Sequence, residues 1–260
     1  MERLLEHCTL CPRRCGVNRA AGERGCCGAG ETVRVARAAL HPWEEPCISG
    51  SRGSGTVFFS HCTLGCVFCQ NAPLSREGAG LEIGTGRLGE IFLELQAQGA
   101  HNINLVTPTH YVPQILEAVA LARADGLRIP FVYNCGGYEL PETVALLDGT
   151  VDLWLPDFKY AQSRPAARYS AAADYPERAL EAIEAMVRQT GAPRFGPDGL
   201  LQKGVLVRHL LLPGLLADSM RAVELLAERF EGRILLSLMS QFTPMPACSA
   251  RFPELSRPVN

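Results

Sequence analysis

The chain has 260 residues, 47% of them hydrophobic, enough for one large domain with a substantial core. Its formal charge of −2, with both signs interspersed, argues against a nucleic-acid or membrane-surface partner, and no apolar run approaches the length of a membrane span. No apolar leader follows Met1-Glu2-Arg3-Leu4-Leu5-Glu6, so the expected location is cytoplasmic. In such a compartment the 11 cysteines point to metal binding rather than disulfides, and only Cys135 and Cys248 lie beyond residue 69.

The first cysteines crowd the N-terminus. Cys8, Cys11 and Cys15, spaced C-x2-C-P-x2-C, are followed by Cys26 and Cys27 between glycines. A four-thiolate zinc site and an auxiliary iron–sulfur cluster are both chemically sensible for this set. The segment carries little apolar material, so a metal would be its main folding force. Cys47 ends the stretch His41-Pro42-Trp43-Glu44-Glu45-Pro46-Cys47, whose Trp43, Glu44 and Glu45 are expected to cover one end of the fold. Residues 1–52 therefore read as a small Cys-rich metal-binding extension, and 53–260 as the main domain.

From Gly53 onward, short apolar runs alternate with amphipathic segments. Strands are expected over 56–60, 103–106, 129–134, 151–156, 205–212 and 234–239, and helices over 87–98, 112–124, 141–147, 176–189 and 219–230. The helix at 176–189 is punctuated at both ends, with Asp174 as its expected N-cap and Gly191 closing it. In the last helix Met220, Val223, Leu226 and Phe230 mark an apolar stripe. Six strands alternating with helices imply a parallel sheet with right-handed crossovers, too few units for an eight-stranded barrel. The expected fold class is α/β: a partial (β/α)6 TIM-like barrel with a small Cys-rich N-terminal extension. Ligands in such folds sit at the carboxyl ends of the strands.

Directly after the first of these strands comes His61-Cys62-Thr63-Leu64-Gly65-Cys66-Val67-Phe68-Cys69-Gln70-Asn71. The spacing C-x3-C-x2-C sets Cys62, Cys66 and Cys69 on one short loop, with Phe68 before the last. A 4Fe-4S cluster normally takes four Cys thiolates, so a three-Cys loop leaves one iron open to a non-protein ligand. A structural zinc would want a fourth protein ligand. The segments after the other strands are polar or Gly-rich: Thr107-Pro108-Thr109-His110, Asn134-Cys135-Gly136, Asp157-Phe158-Lys159, Arg208-His209 and Ser240-Gln241.

The cysteine loop resembles that of the radical S-adenosylmethionine (SAM) superfamily. Over residues 53–245 the chain is similar to the pyruvate formate-lyase activating enzymes, in the activating-enzyme-like branch with an extra N-terminal cysteine region. Val151-Asp152-Leu153-Trp154-Leu155-Pro156-Asp157-Phe158-Lys159 resembles their Asp-Leu-Lys segment. Val207-Arg208-His209-Leu210-Leu211-Leu212-Pro213-Gly214 resembles their Arg-containing segment ending in Pro-Gly, and Asn134-Cys135-Gly136 stands where they carry Thr-Asn-Gly. The resemblance implies a 4Fe-4S cluster on Cys62, Cys66 and Cys69, with SAM chelated at the open iron. Reductive cleavage would then yield a 5′-deoxyadenosyl radical for hydrogen abstraction. It also implies SAM contacts from Asn134, Asp157, Lys159 and Arg208, with Phe68 near the adenine, and a one-electron donor such as flavodoxin or ferredoxin. The hydrogen donor would be a residue of a partner protein, or a peptide or small molecule. One departure stands out. Where those enzymes carry Gly-Gly-Glu, this chain reads Thr107-Pro108-Thr109-His110, so Thr107, Thr109 or His110 become the expected replacements around the SAM amino group. The alternative is a non-catalytic iron–sulfur electron-transfer or metal-binding protein; an electron carrier would ordinarily complete the set of four cysteines.

Overall fold

The computed structural model describes residues 3–259. Its strands are β1 (Val33–His41), β2 (Ser54–Phe59), β3 (Leu81–Ile83), β4 (Ile103–Val106), β5 (Phe131–Cys135), β6 (Leu153–Pro156), β7 (Arg194–Phe195), β8 (Leu201–Leu210) and β9 (Leu235–Met239). They form one sheet in the order β3-β1-β2-β4-β5-β6-β8-β7, with β9 also paired to β8. The strands β2, β4, β5, β6, β8 and β9 are successive parallel neighbours and correspond to the six expected. The sheet curves without closing, a partial (β/α)6 barrel.

Burial on both faces explains why these strands read as apolar runs: β5 and β6 are buried at every position. Val132, Leu153, Leu155, Leu201 and Leu206 form a separate apolar cluster, with Ile48 joined to it. Asn134, Asp157 and Arg208 lie two residues beyond Val132, Leu155 and Leu206. The period of a strand therefore puts them on the same face, nearer its carboxyl end.

The expected helices occur at Thr85–Ala97, Val112–Ala124, Pro141–Leu146, Tyr175–Thr190 and Leu216–Phe230. Two details differ. Asp174 precedes its helix but makes no side-chain cap bond; its carboxylate accepts instead from Tyr138 Oη at 2.7 Å and Arg178 Nε at 3.4 Å. In Leu216–Phe230 the buried positions include Ala222, Leu226 and Phe230, while Met220 is 58% exposed. An additional helix, Ser163–Ser170, lies outside the expected set.

Strand β1 lies before residue 52 yet pairs antiparallel along β2, from His41 opposite Ser54 to Val35 opposite Phe59. The segment before it packs on the barrel through Thr143 Oγ1, which donates to Leu10 O at 2.8 Å, and Gln114 Nε2, which donates to Glu31 O. Among the described residues no helix is long and apolar enough to cross a membrane.

Candidate functional site

The cysteine loop leaves β2 through His61, whose φ of 75° turns the chain sharply. Two backbone bonds hold the loop: Val67 N to Tyr169 O at 2.8 Å and Cys69 N to Cys66 O at 3.2 Å. Each thiol has a donor. Leu64 N reaches Cys62 Sγ at 3.4 Å, Ser170 Oγ reaches Cys66 Sγ at 3.1 Å, and Ser75 Oγ reaches Cys69 Sγ at 3.3 Å. Such bonds favour thiolate, but burial works the other way. It raises Cys62 against the Gly65 and Leu64 amides and pushes Cys66 up to about 11 against the nearby Lys159 charge. Ligand-free, both therefore keep their protons at neutral pH, and a metal must displace them.

The three cysteines face a cavity of ≈ 330 Å³ at the carboxyl ends of the strands. Phe68 lines it on their side, braced by Tyr160 and Phe242 at ring separations of 6.4 and 6.3 Å. Thr107, Asn134, Asp157, Lys159, Arg208 and Gln241 line it elsewhere. Thus Thr107, Asn134, Asp157, Lys159 and Arg208 are brought together at one cavity. Gln241 is the side chain contributed by the Ser240-Gln241 segment.

These groups form one network. Asp157 accepts from Arg208 Nε at 3.0 Å and from Lys159 Nζ at 2.5 Å. Arg208 also donates to Asn134 Oδ1 at 2.7 Å and to Glu44 Oε1 at 3.2 Å. Glu44 Oε2 in turn accepts from Asn104 Nδ2 at 2.9 Å and Asn134 Nδ2 at 3.0 Å. Burial alone would raise Asp157, but the Arg208 and Lys159 charges outweigh it and hold the carboxyl below its usual value. Burial likewise opposes the Lys159 charge, and Asp157 more than offsets it, raising the ammonium above its usual range. Two carboxylates thus face two cations. In the sequence Glu44 is only part of a covering stretch, and nothing there foretells a contact 164 positions away.

His110 is not brought to the cavity. It is 2% exposed, its ring bonds Ser60 O at 2.8 Å, and burial pulls it down to about 3, so it is neutral. Thr109 points to Glu139, donating to Oε1 at 2.7 Å. The diverting feature is Thr107, whose φ of 59° is a conformation that favours glycine. Thr107 N still bonds Asn134 O at 2.8 Å, so the rim keeps its shape while the next residues turn away. Cys135 borders the cavity as well, but its thiol is turned to Glu139; burial above all, and then the Glu139 charge, raises it above its usual value.

Among the described residues no three His, Cys, Asp or Glu side chains already converge on a point that one ion would occupy. Cys62, Cys66 and Cys69 instead stand around a shared cavity. That arrangement suits an iron–sulfur cube, whose corners hold their thiolates further apart than one ion does. In the N-terminal segment Cys8 and Cys11 are buried, Cys15 and Cys27 half-buried, and Cys26 exposed.

Comparison with known proteins agrees with this architecture. No family model matches the chain. An uncharacterized protein of Methanocaldococcus jannaschii is 26% identical across 98% of this chain and 71% of its own length. Among solved structures, methylornithine synthase superposes with a TM-score of 0.50 at 12% identity, covering 72% of this chain and 52% of that one. The chain shares the fold of that enzyme over the covered part. Another, SuiB of Streptococcus suis, gives a TM-score of 0.48 at 14% identity over 71% of this chain and 39% of its own. The chain spans about half the length, or less, of these two solved structures.

Proposed function

We propose that the chain is a radical SAM enzyme whose cysteine loop holds a 4Fe-4S cluster. The observation that carries this reading is the trio Cys62, Cys66 and Cys69 around one cavity, each thiol with a donor, while the Cys135 thiol is turned to Glu139. Three ligands and no fourth fit a cluster with one open iron. When bound, cluster and SAM supply reductive cleavage of the sulfonium and a 5′-deoxyadenosyl radical that abstracts hydrogen.

The chain's own residues bind and orient. Burial raises the Cys66 thiol, and the Lys159 charge partly offsets that, in the direction of the ligating thiolate. Arg208 spends its Nε and both Nη atoms on Asp157, Glu44 and Asn134, which fixes the guanidinium plane against the cavity. Two further N–H groups stay available to a carboxylate such as that of SAM. Asp157 and Asn134 suit the hydroxyls and amine, and Phe68 presents an aromatic face beside the last cysteine. Thr107, on the left-handed rim, replaces the glycine-rich turn of the activating enzymes. The mouth at the strand ends receives the hydrogen donor, a peptide or small molecule or a residue on a partner protein, and a flavodoxin or ferredoxin type of donor supplies the electron.

Electron paramagnetic resonance tests the reading. The anaerobically reconstituted, reduced chain should show a cluster signal whose shape changes when SAM is added. A signal indifferent to SAM would leave an electron carrier and overturn the proposal.

A further inference from the structure

Five cysteines precede residue 28, and the fold sorts them. Cys8 N donates to Val17 O and Gly16 N to Cys8 O, both at 3.0 Å, folding the segment back on itself. Arg14 N closes a turn on Cys11 O at 2.9 Å, and Gly28 N closes another on Gly25 O at 3.0 Å. The second turn lies so near Cys15 that a Cβ at Gly25 would collide with the sulfur. The backbone of Arg13 lies within electrostatic reach of Cys11, and that of Ala29 within reach of Cys27. Cys27 is within electrostatic reach of Cys8, Cys11 and Cys15, whereas Cys26 in the same turn is exposed.

Arg19 is a second, independent observation. It is 1% exposed, and no carboxylate among the described residues pairs with it. Its donors go to Gly30 O at 3.0 and 2.5 Å, to His110 O at 2.5 Å and to Cys8 Sγ at 3.9 Å, and it lies over the Tyr111 ring. A buried cation without a counter-ion is costly. Four thiolates carry more negative charge than a zinc ion or an iron–sulfur cube returns, so a centre here would leave a net anion beside the guanidinium.

We infer that Cys8, Cys11, Cys15 and Cys27, which do not already converge on a single-ion point, close into a four-thiolate centre on binding metal, with Arg19 as its buried counter-charge and Cys26 left out. Binding displaces the thiol protons, and four protein ligands close the coordination, so the centre is structural. It fastens the N-terminal segment to both sides of the barrel mouth. Arg13, next to the Cys11-Pro12 knuckle, donates to Thr63 O at 3.1 Å and Leu64 O at 3.4 Å in the cysteine loop, and Arg19 holds the carbonyl of His110 after β4. The centre stands whether or not the barrel site cleaves SAM.

The test uses the full chain carrying Cys62→Ser, Cys66→Ser and Cys69→Ser, so that the barrel loop holds no metal. Zinc and iron measured on that variant should show either one zinc or the iron of one cube per chain, the element found naming the metal. Adding Cys27→Ser should abolish it, and adding Cys26→Ser should not. Arg19→Gln should let a competing chelator strip the metal roughly tenfold faster, with Arg19→Lys restoring part of the difference. Alkylation of the unaltered chain needs no substitution and so reads the same site if Cys27→Ser fails to fold. Cys26 should react first, and Cys8, Cys11, Cys15 and Cys27 only after chelation. Absence of both metals from the triple variant, equal losses for Cys26→Ser and Cys27→Ser, or equal alkylation of all five would overturn the inference.

Discussion

The two cysteine groups of this chain differ in what faces them. Cys62, Cys66 and Cys69 look into a cavity walled by Asp157, Lys159, Arg208 and Asn134, with room for another molecule. Cys8, Cys11, Cys15 and Cys27 do not line that cavity; Cys8 has as its neighbour the buried guanidinium of Arg19, already committed to backbone carbonyls. The first arrangement opens on a cavity and suits chemistry on a ligand, and the second lies beside a committed cation and suits holding a segment in place. Cysteine spacing alone does not separate them. The charge partner does: cations paired with carboxylates at the cavity, and a fully buried cation with no carboxylate partner among the described residues at the N-terminal site.

The sharpest way to break this comparison is to remove one open-site thiol. Cys66→Ser should abolish 5′-deoxyadenosine formation and lose the barrel iron while the N-terminal metal stays; joint loss of both metals would show the sites to be one folding unit. A smaller effect is expected from Asp157→Asn, which leaves Lys159 and Arg208 facing Glu44 alone. We expect stability to fall by about 2 kcal/mol and SAM to bind about tenfold more weakly, measured by denaturant titration and by calorimetry. Because Asp157 is held low and Lys159 high, the pair contributes evenly between about pH 4 and 10, weakening as acid protonates the first or alkali deprotonates the second.

Glu139 and His110 lie in the wall between the two regions and should reveal themselves by pH. Burial pushes Glu139 up to about 8 from 4.5, partly offset by donors from Thr109, Cys135 and Tyr133. Burial pulls His110 down to about 3 from 6.5. Between pH 3 and 6.5 the unfolded histidine binds the extra proton, so its contribution rises with pH; between 4.5 and 8 the folded carboxyl holds the extra proton, so its contribution falls. Together they give a plateau from 4.5 to 6.5 and a decline towards 8, and Glu139→Gln should remove that decline in thermal melts. The smallest effect concerns the rim: Thr107→Gly should stabilise the chain by about 1 kcal/mol by relieving the left-handed threonine, without changing N-terminal metal content.

What the sequence makes legible follows from how each residue is placed. The six parallel strands are visible because burial on both faces leaves unbroken apolar runs such as Leu153-Trp154-Leu155. Asp157, Lys159, Arg208 and Asn134 are visible because the strand period carries them to one end of one face. Strand β1 is hidden because Arg34 and Arg37 interrupt its apolar positions and it sits on the antiparallel side of the sheet. Glu44 is hidden because its role depends on contacts far along the chain. His110 misleads because the left-handed turn at Thr107 sends a polar residue inward to bond Ser60, away from the mouth. Cys26 and Cys27 are neighbours in sequence, and only the turn at Gly25–Gly28 decides which one faces the other thiols.

The central claim is that the open site cleaves SAM. The direct measurement is 5′-deoxyadenosine formed by the anaerobically reconstituted chain with SAM and a low-potential reductant, run beside Cys66→Ser. Deoxyadenosine from the unaltered chain and none from the variant is the predicted result. A loaded, reducible cluster that yields no deoxyadenosine, or equal yields from both chains, would contradict the account.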